Sequence, residues 1–518
     1  MRSRERQELY ANWVDQQLDR LTPRQKLAQR LIALPGIVDG HPDRATRTAL
    51  DAGLGVLHGL VGISVSGAAR YHVEVAERCA EPGLPPVLQS ANLESGIGYA
   101  LGRGGTDFPY PRGIGHADNA DLARDLAEQA AREARLVGFH WTFSPCVDVL
   151  TNPSDPILGV RAFGLDAKRT SALGAAQVRG YQAGGLLATA KHFPGHGDSA
   201  TDTHRSLAVL PRTSEQHERD HLPPFVAAIA ADVASIMVAH VALPGLGIDG
   251  PASLSPLVNR TWLRDELGYD GIIVTDALHM GAIAQAWSPA GAAIAALAAG
   301  ADVANVKCPA GEIPAILDAL EAALKDGQLD QRELDRSVAR LLRAKASLGL
   351  PKGHGIDLAR SVELDEGTPW QGADLAGTVS TNADPKLTGP AVVVGDSELA
   401  RRLADRARMP LEAVAVTAES LASIARAHPR ATLVAVTCPL PVDGGIDSAA
   451  FADAVRSASV PVVAVVNSAA TAADLRVGGP VVSVPAVDAF EMVSDAAIAA
   501  VVEVLSGRNR SVNVTLSP

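Results

Sequence analysis

Residues 191–204 read Lys-His-Phe-Pro-Gly-His-Gly-Asp-Ser-Ala-Thr-Asp-Thr-His, with three histidines, one lysine and two aspartates in one short stretch. In a buried core segment each of those groups would need its own hydrogen-bonding partner, so the stretch reads as the wall of a polar site. Asp202 and His204 stand two residues apart. An imidazole exchanges protons near neutrality, and a carboxylate held against one ring nitrogen fixes the tautomer and strengthens the base. The second reactive position is Asp276, which ends the apolar run of the segment 271–283, GIIVTDALHMGAI.

A separate carboxylate together with an imidazole–carboxylate pair supplies a nucleophile and an acid/base partner. Retaining glycoside cleavage uses those two parts: a carboxylate attacks the anomeric carbon while a second group protonates the leaving oxygen and then activates water. Two plainer readings stand beside this one. Asp is a preferred N-cap, so Asp276 would equally serve to start a following helix. His192, His196, Asp198, Asp202 and His204 are also competent metal ligands. The segment lacks the HExxH spacing, however, and Pro194, Gly195 and Gly197 leave no regular face on which those side chains would converge. Lys191 and His192 taken singly are ordinary hydrogen-bonding residues of a strand end.

Strand ends have to carry these groups. Residues 185–190 (GLLATA) read as a short apolar strand that Pro194, Gly195 and Gly197 break at once. From about 20 to 350, further β-rich runs alternate with helical stretches; the candidate strands are 55–64, 86–91, 140–147, 186–191, 235–241, 271–276 and 301–306. At least seven such strands favour a (β/α)8 barrel over a small doubly wound domain, and barrels keep their chemistry at strand ends. Helical periodicity covers 121–137, 214–231 in two pieces on account of Pro223 and Pro224, 316–325 and 330–348. Gly349 and Pro351 supply a stop, so residues 1–350 are expected to form the barrel domain and the polar stretch 351–388 a linker. Strands at 390–394, 432–437, 460–467 and 481–484 then alternate with helices, the pattern of a smaller three-layer α/β sandwich over 389–518.

The chain of 518 residues is long for one core, and 47% hydrophobic with 20% charged residues suits a compact α/β protein. A formal charge of −12 argues against a nucleic-acid partner and accommodates a neutral substrate. Cys79, Cys146, Cys308 and Cys438 are too widely spaced for a zinc or redox motif and read as buried thiols. The N-terminal segment is charged where a secretory signal is apolar, and no apolar run of about 18 residues occurs. A cytoplasmic protein without a membrane partner is therefore expected.

Taken together, these motifs resemble glycoside hydrolase family 3, most closely its β-N-acetylglucosaminidase branch. KHFPGHGDSATDTH is similar to that branch's signature loop, with Thr203 where the family usually has Ser, and IIVTDALHMGAI is similar to the strand bearing the family's nucleophile. Further likenesses are LTPRQKLAQ at 21–29, RAFG at 161–164 and LPPFVAAIAADVASIMVAH at 222–240. The resemblance implies Asp276 as nucleophile, His204 as acid/base, Asp202 as the group that orients it, and Lys191, His192 and Arg161 as sugar contacts. It implies a terminal β-linked amino-sugar glycoside as substrate, a covalent glycosyl-enzyme intermediate, and neither a metal nor another cofactor; phosphate is a conceivable acceptor in place of water. The ending VLSGRNR extends the likeness to the sandwich in outline. One segment departs from the family: Asn92, Ile97 and Ala100 stand where an Asp and two Arg are usual. A charge-assisted grip on the sugar is thereby lost, which raises a β-glucosidase or other altered glycosidase as the alternative, and a sugar-binding protein without turnover as the alternative from another class. No pattern in the chain sets an oligomeric state.

Overall fold

The computed structural model describes residues 3–80, 83–152, 155, 157–369, 380–381, 386–387, 389–395, 397–437, 451, 454–455, 458–467, 481–484 and 495–506. Seven short strands define a barrel: β1 (Ile32–Ala33), β2 (Val56–His58), β3 (Leu88–Ala91), β4 (Trp141–Thr142), β5 (Thr189–Phe193), β6 (Ser235–Val238) and β7 (Ile272–Thr275). They pair in parallel as β1-β2-β3-β4 and as β5-β6-β7. Two junctions close the ring. A parallel bridge between Trp141 and Leu187 joins β4 to the approach of β5, and residues 303–304 bridge Val274 on one side and Leu31 on the other. The eighth stave is therefore present as single bridges, shorter than the strand expected over 301–306.

Other expected strands also contract, for local reasons. The run 55–64 is extended only at Val56–His58, because Gly59 and Gly62 turn the chain at φ +76° and +80°. The run 140–147 is a regular strand only at Trp141–Thr142, since Pro145 offers no N–H to a ladder, and pairing resumes as a single parallel bridge between Cys146 and Lys191. β1 escaped the sequence reading because two residues establish no period. Helices form where periodicity placed them, at Ala120–Val137, Ile313–Lys325 and Gln331–Ser347; the last is N-capped by Asp330, which accepts from the Glu333 amide. The 214–231 stretch is indeed divided: a π-helical turn at His217–His221 precedes the helix Pro223–Ala230, in which Pro occupies the first turn. Inside the barrel, Ile32, Val56, Leu88, Met237, Ile272 and Val274 pack with Trp141. The Trp141 indole N–H donates to Thr189 and Ser235 at 2.9 and 2.8 Å, which satisfies the one polar atom this ring buries.

The chain divides into two compact units, and the division is not contiguous. The first comprises 1–106, 123–148 and 174–368; the second comprises 107–122, 149–173 and 369–518. The expected linker thus belongs in its first half to the barrel unit. Its polar residues are tied down there: Asp365 accepts from the Ser66 amide and hydroxyl, the Asp357 amide donates to the Leu136 carbonyl and the Gly105 amide to the Leu364 carbonyl.

In the second unit a six-stranded sheet has the order Ser380–Thr381, Val481–Val484, Val462–Asn467, Thr432–Thr437, Ala391–Val394, Leu411–Glu412, parallel apart from its first member. Alternation of strand residues builds two cores. Val393, Val434, Val436 and Val465 face helices Glu398–Ala407 and Asp495–Ser506, whereas Val392, Val394, Leu433 and Ala435 face helix Ala418–Ala427. The result is the expected three-layer sandwich. Cys79, Cys146 and Cys308 are buried free thiols, and Cys438 lies outside the described residues, as does most of VLSGRNR. Among the described residues no helix is long and apolar enough to cross a membrane.

Candidate active site

Parallel strands present all their C-terminal ends at one mouth of a barrel, and the reactive residues gather there. Asn92 and Glu94 follow β3, Asp148 follows β4, Lys191 and His192 lie within β5, His240 follows β6 and Asp276 follows β7. Lys191 is 2% exposed and its Nζ lies 2.7 Å from Glu94 Oε1 and 3.4 Å from Asn92 Oδ1. A lysine this deep needs such a partner, because an unpaired buried ammonium is far costlier than a paired one. Asn92 thus reaches the same ammonium as Glu94 without adding a charge. Ile97 and Ala100 are buried on the short helix Ile97–Leu101.

The neighbouring His192 donates through Nδ1 to Asp148 Oδ2 at 2.7 Å, and the amides of His192 and His196 donate to the same carboxylate at 3.0 and 2.7 Å. Burial alone would raise the Asp148 carboxyl; the His192 charge and hydrogen bond, with the His196 charge and amide, outweigh it and bring the group down to about 2. His196 continues the chain of bonds, its Nε2 standing 3.1 Å from the Thr203 hydroxyl. Asp148 was not nominated from sequence. A single aspartate inside the apolar run FSPCVDV was the available signal.

The Asp202–His204 pair forms as its spacing suggested. His204 Nδ1 lies 3.0 Å from Asp202 Oδ1, which also accepts the His204 amide at 2.8 Å, and the His204 side chain is 41% exposed. With Nδ1–H committed to the carboxylate, proton exchange with a bound molecule falls to Nε2. This segment is fastened to the residues that follow β7. The amides of Gly281 and Ala282 donate to the carbonyls of His204 and Thr203 at 2.9 and 3.3 Å, and Gln285 Nε2 donates to the Arg205 carbonyl at 2.7 Å. A Cβ on Gly281 would sit 2.4 Å from the Arg205 carbonyl oxygen, so only glycine allows this approach.

Asp276 itself is half-buried and accepts the Ala277 amide at 2.7 Å through Oδ1; Oδ2 makes no hydrogen bond to the described residues. The helix-capping alternative is not what the chain does, since the next helix, Gly281–Ala284, has Met280 at its N-cap. Burial would raise the Asp276 carboxyl, yet the charges of His192 and His240, the Ala277 amide and the Lys191 ammonium hold it well below the ordinary carboxylate range. It is an ionised carboxylate at any physiological pH. His240 braces this strand end, with Nδ1 2.7 Å from Ser253 Oγ and Nε2 3.0 Å from the Ala277 carbonyl. His279, three residues past Asp276, lies within electrostatic reach of Asp276, His204 and Lys307. Neither histidine was nominated from sequence; His240 ends the apolar run IMVAH in the way Asp276 ends its own.

The metal reading finds its proposed ligands separated among different protein partners. His192 is bound to Asp148, Asp202 to His204, and Asp198 to Arg212 at 2.5 and 3.0 Å. Cys146, Asp148 and His192 do offer ligand atoms within 4.8 Å of one another, but both Asp148 oxygens there already accept N–H groups. Arg161 is buried in the short helix Gly159–Arg161, in the segment 149–173 that belongs to the second unit. It is not among the residues that the barrel unit gathers.

Comparison with known proteins identifies relatives of the chain. The family described as "Glycosyl hydrolase family 3 N terminal domain" matches residues 68–344. A β-N-acetylglucosaminidase/β-glucosidase of Cellulomonas fimi is 34% identical over 281 residues, 52% of this chain and 49% of that protein, so the chain spans about half the length of that relative. The β-hexosaminidase LpqI of Mycobacterium tuberculosis (strain ATCC 25618 / H37Rv) is 34% identical over 333 residues, 63% of this chain and 83% of that protein. Among solved structures, a glycoside hydrolase family 3 β-N-acetylglucosaminidase from Paenibacillus sp. str. FPU-7 superposes with a TM-score of 0.80 at 28% identity, covering 95% of this chain and 98% of that one.

Proposed function

The chain belongs to glycoside hydrolase family 3, and from that membership we propose that it is a retaining, exo-acting β-N-acetylhexosaminidase that removes terminal β-linked N-acetylglucosamine-type sugars. The observation that carries the reading is the attachment of the Asp202–His204 pair, through backbone hydrogen bonds, to the turn that follows Asp276. In this reading Asp276 is the nucleophile and His204 its acid/base partner, and those backbone bonds set the position of one against the other.

In the first step an Asp276 oxygen bonds to the anomeric carbon as the glycosidic C–O bond breaks. The electron pair leaves on the aglycone oxygen, which takes the proton from His204 Nε2. In the second step Nε2 takes a proton from water, the water oxygen bonds to the anomeric carbon and the Asp276 ester is released. Two inversions return the β configuration. Asp202 favours the imidazolium formed in the second step and keeps the ring in register. Lys191 and His192 serve as sugar contacts in this proposal, and the reaction needs neither metal nor other cofactor.

The test is turnover of p-nitrophenyl glycosides. β-N-acetylglucosaminide should be the preferred sugar, with kcat/KM lowered about 10⁴-fold in Asp276→Ala and roughly a hundredfold in Asp202→Asn. Preference for β-glucoside would instead support a β-glucosidase, a reading that Asn92 favours because it brings no charge to the sugar wall. A rate that rises with phosphate would indicate phosphorolysis, and sugar binding without turnover on the whole panel would point to a non-catalytic binding protein. A cytoplasmic site of action belongs to the same proposal and is tested by fractionation of expressing cells.

A further inference from the structure

The loop that joins Lys191 and His192 to the Asp202–His204 pair is gripped by a single arginine. Arg212 is 2% exposed, and its guanidinium engages all five of its N–H groups. Nε donates to Asp198 Oδ2 at 3.0 Å. One terminal nitrogen donates to Asp198 Oδ1 at 2.5 Å and to the Gly195 carbonyl at 3.0 Å, and the other to the Pro194 carbonyl at 3.0 Å and to His217 Nδ1 at 3.4 Å. Four of those five bonds fall on residues 194–198. The fifth requires His217 Nδ1 to be the bare nitrogen of a neutral ring; burial, aided by the Arg212 charge, brings that imidazole down to about 4 and so keeps it an acceptor.

Regular structure on both sides fixes Arg212 itself. The short strand Ala208–Val209 pairs in parallel with Val241–Ala242, the Leu210 amide donates to the Ala242 carbonyl at 2.8 Å, and Thr213 caps the helical turn that follows by accepting the Gln216 amide. His217 is in turn stacked on Trp262. On the loop side the grip is handed on by His196, which lies between Gly195 and Asp198. Its amide donates to Asp148 at 2.7 Å, and its Nε2 stands 3.1 Å from the hydroxyl of Thr203, the residue between Asp202 and His204. An ion pair alone would need only the two bonds to Asp198. The bonds to the Pro194 and Gly195 carbonyls set the course of the loop, and only a planar fork makes them together with the bidentate pair.

We propose that Arg212 is a positioning residue for the acid/base step: through Asp198 and the carbonyls of Pro194 and Gly195 it holds the loop in the course that brings His204 Nε2 to the leaving oxygen. The inference rests on the reading of His204 as the acid/base group and not on which sugar is cleaved. Arg212 touches no substrate in this role. Its effect is therefore on proton delivery, which matters most when the aglycone leaves poorly without a proton.

The test compares kcat/KM for the phenyl and 2,4-dinitrophenyl glycosides of whichever sugar the p-nitrophenyl panel selects. Phenoxide needs the proton, whereas dinitrophenolate departs without it. His204→Ala sets the reference and should lose at least about a hundredfold more on the phenyl glycoside than on the dinitrophenyl one. Arg212→Lys keeps a cation beside Asp198 but cannot reproduce the fork; it should lose roughly a hundredfold on the phenyl glycoside and less than about threefold on the dinitrophenyl glycoside, the signature of a displaced acid. Asp198→Asn should show the same selectivity, and because the Asp198 side chain is 22% exposed this variant carries the comparison if Arg212→Lys does not fold. Equal losses on both glycosides in these two variants, or no loss, would overturn the positioning role while the selective loss in His204→Ala leaves the acid/base reading standing. A His204→Ala variant without selective loss would overturn both.

Discussion

Asp148 is a positioning residue: three N–H groups converge on its carboxylate and fix His192 at the end of β5. Its depressed pKa, about 2 against a usual 3.8, means that its interactions stabilise the fold fully above about pH 4 and are lost as the pH falls toward 2. Asp148→Asn is therefore expected to lower stability by on the order of 2 kcal/mol at pH 7. The gap from wild type should shrink steadily below pH 4. Denaturant melts at pH 7, 5, 4 and 3 check this, and a gap independent of pH would refute the assignment. Lys191 and Glu94 form the second buried ionic contact of the same wall. Lys191→Met should cost about 3–5 kcal/mol, because it strands the Glu94 carboxylate without its cation; Lys191→Met combined with Glu94→Gln should recover much of that loss in the same melts.

At the level of elements, the segment 202–205 acquires its position from hydrogen bonds to residues 281–285 rather than from regular structure of its own. Gly281 is the point of closest approach. Gly281→Ala must displace the Arg205 and His204 carbonyls, and displacement of the proposed acid/base group by about 1 Å costs on the order of a hundredfold in rate. The expectation is a fall of that size in kcat, with KM for the glycoside changed much less. A variant with wild-type kcat would show that the segment does not rely on this contact. Strand ends behave differently: β5, β6 and β7 are paired over four registers each or nearly so, and they carry Lys191, His240 and Asp276 on rigid backbone.

For the whole molecule, the two excursions 107–122 and 149–173 belong with the sandwich sheet in the second unit. Within that unit the Asp107 carboxylate accepts the Ala496 amide, and Tyr110, Ile114, Leu150, Leu158 and Phe163 are buried. Cutting the chain after residue 388 would remove the sheet and leave those excursions without it. The shortened chain should melt at least about 10 °C lower or precipitate; calorimetry showing an unchanged melting temperature would mean that the excursions support themselves. The legible features of the sequence were local ones. Strand and helix periods, glycine and proline stops, the two-residue spacing of Asp202 and His204, and a carboxylate ending an apolar run all lie within one element, so residue order alone foretells the barrel and the sandwich and marks the candidate reactive groups. Closure of the ring decided the rest. Lys191 meets Glu94 across 97 residues and His192 meets Asp148 across 44, and a parallel barrel makes such pairs neighbours through strand order and register, neither of which leaves a period in the chain. For the same reason the eighth stave, the bracing by His240 and the assignment of two barrel excursions to the other unit came from the folded molecule, where burial gives each polar group a partner that residue order does not name.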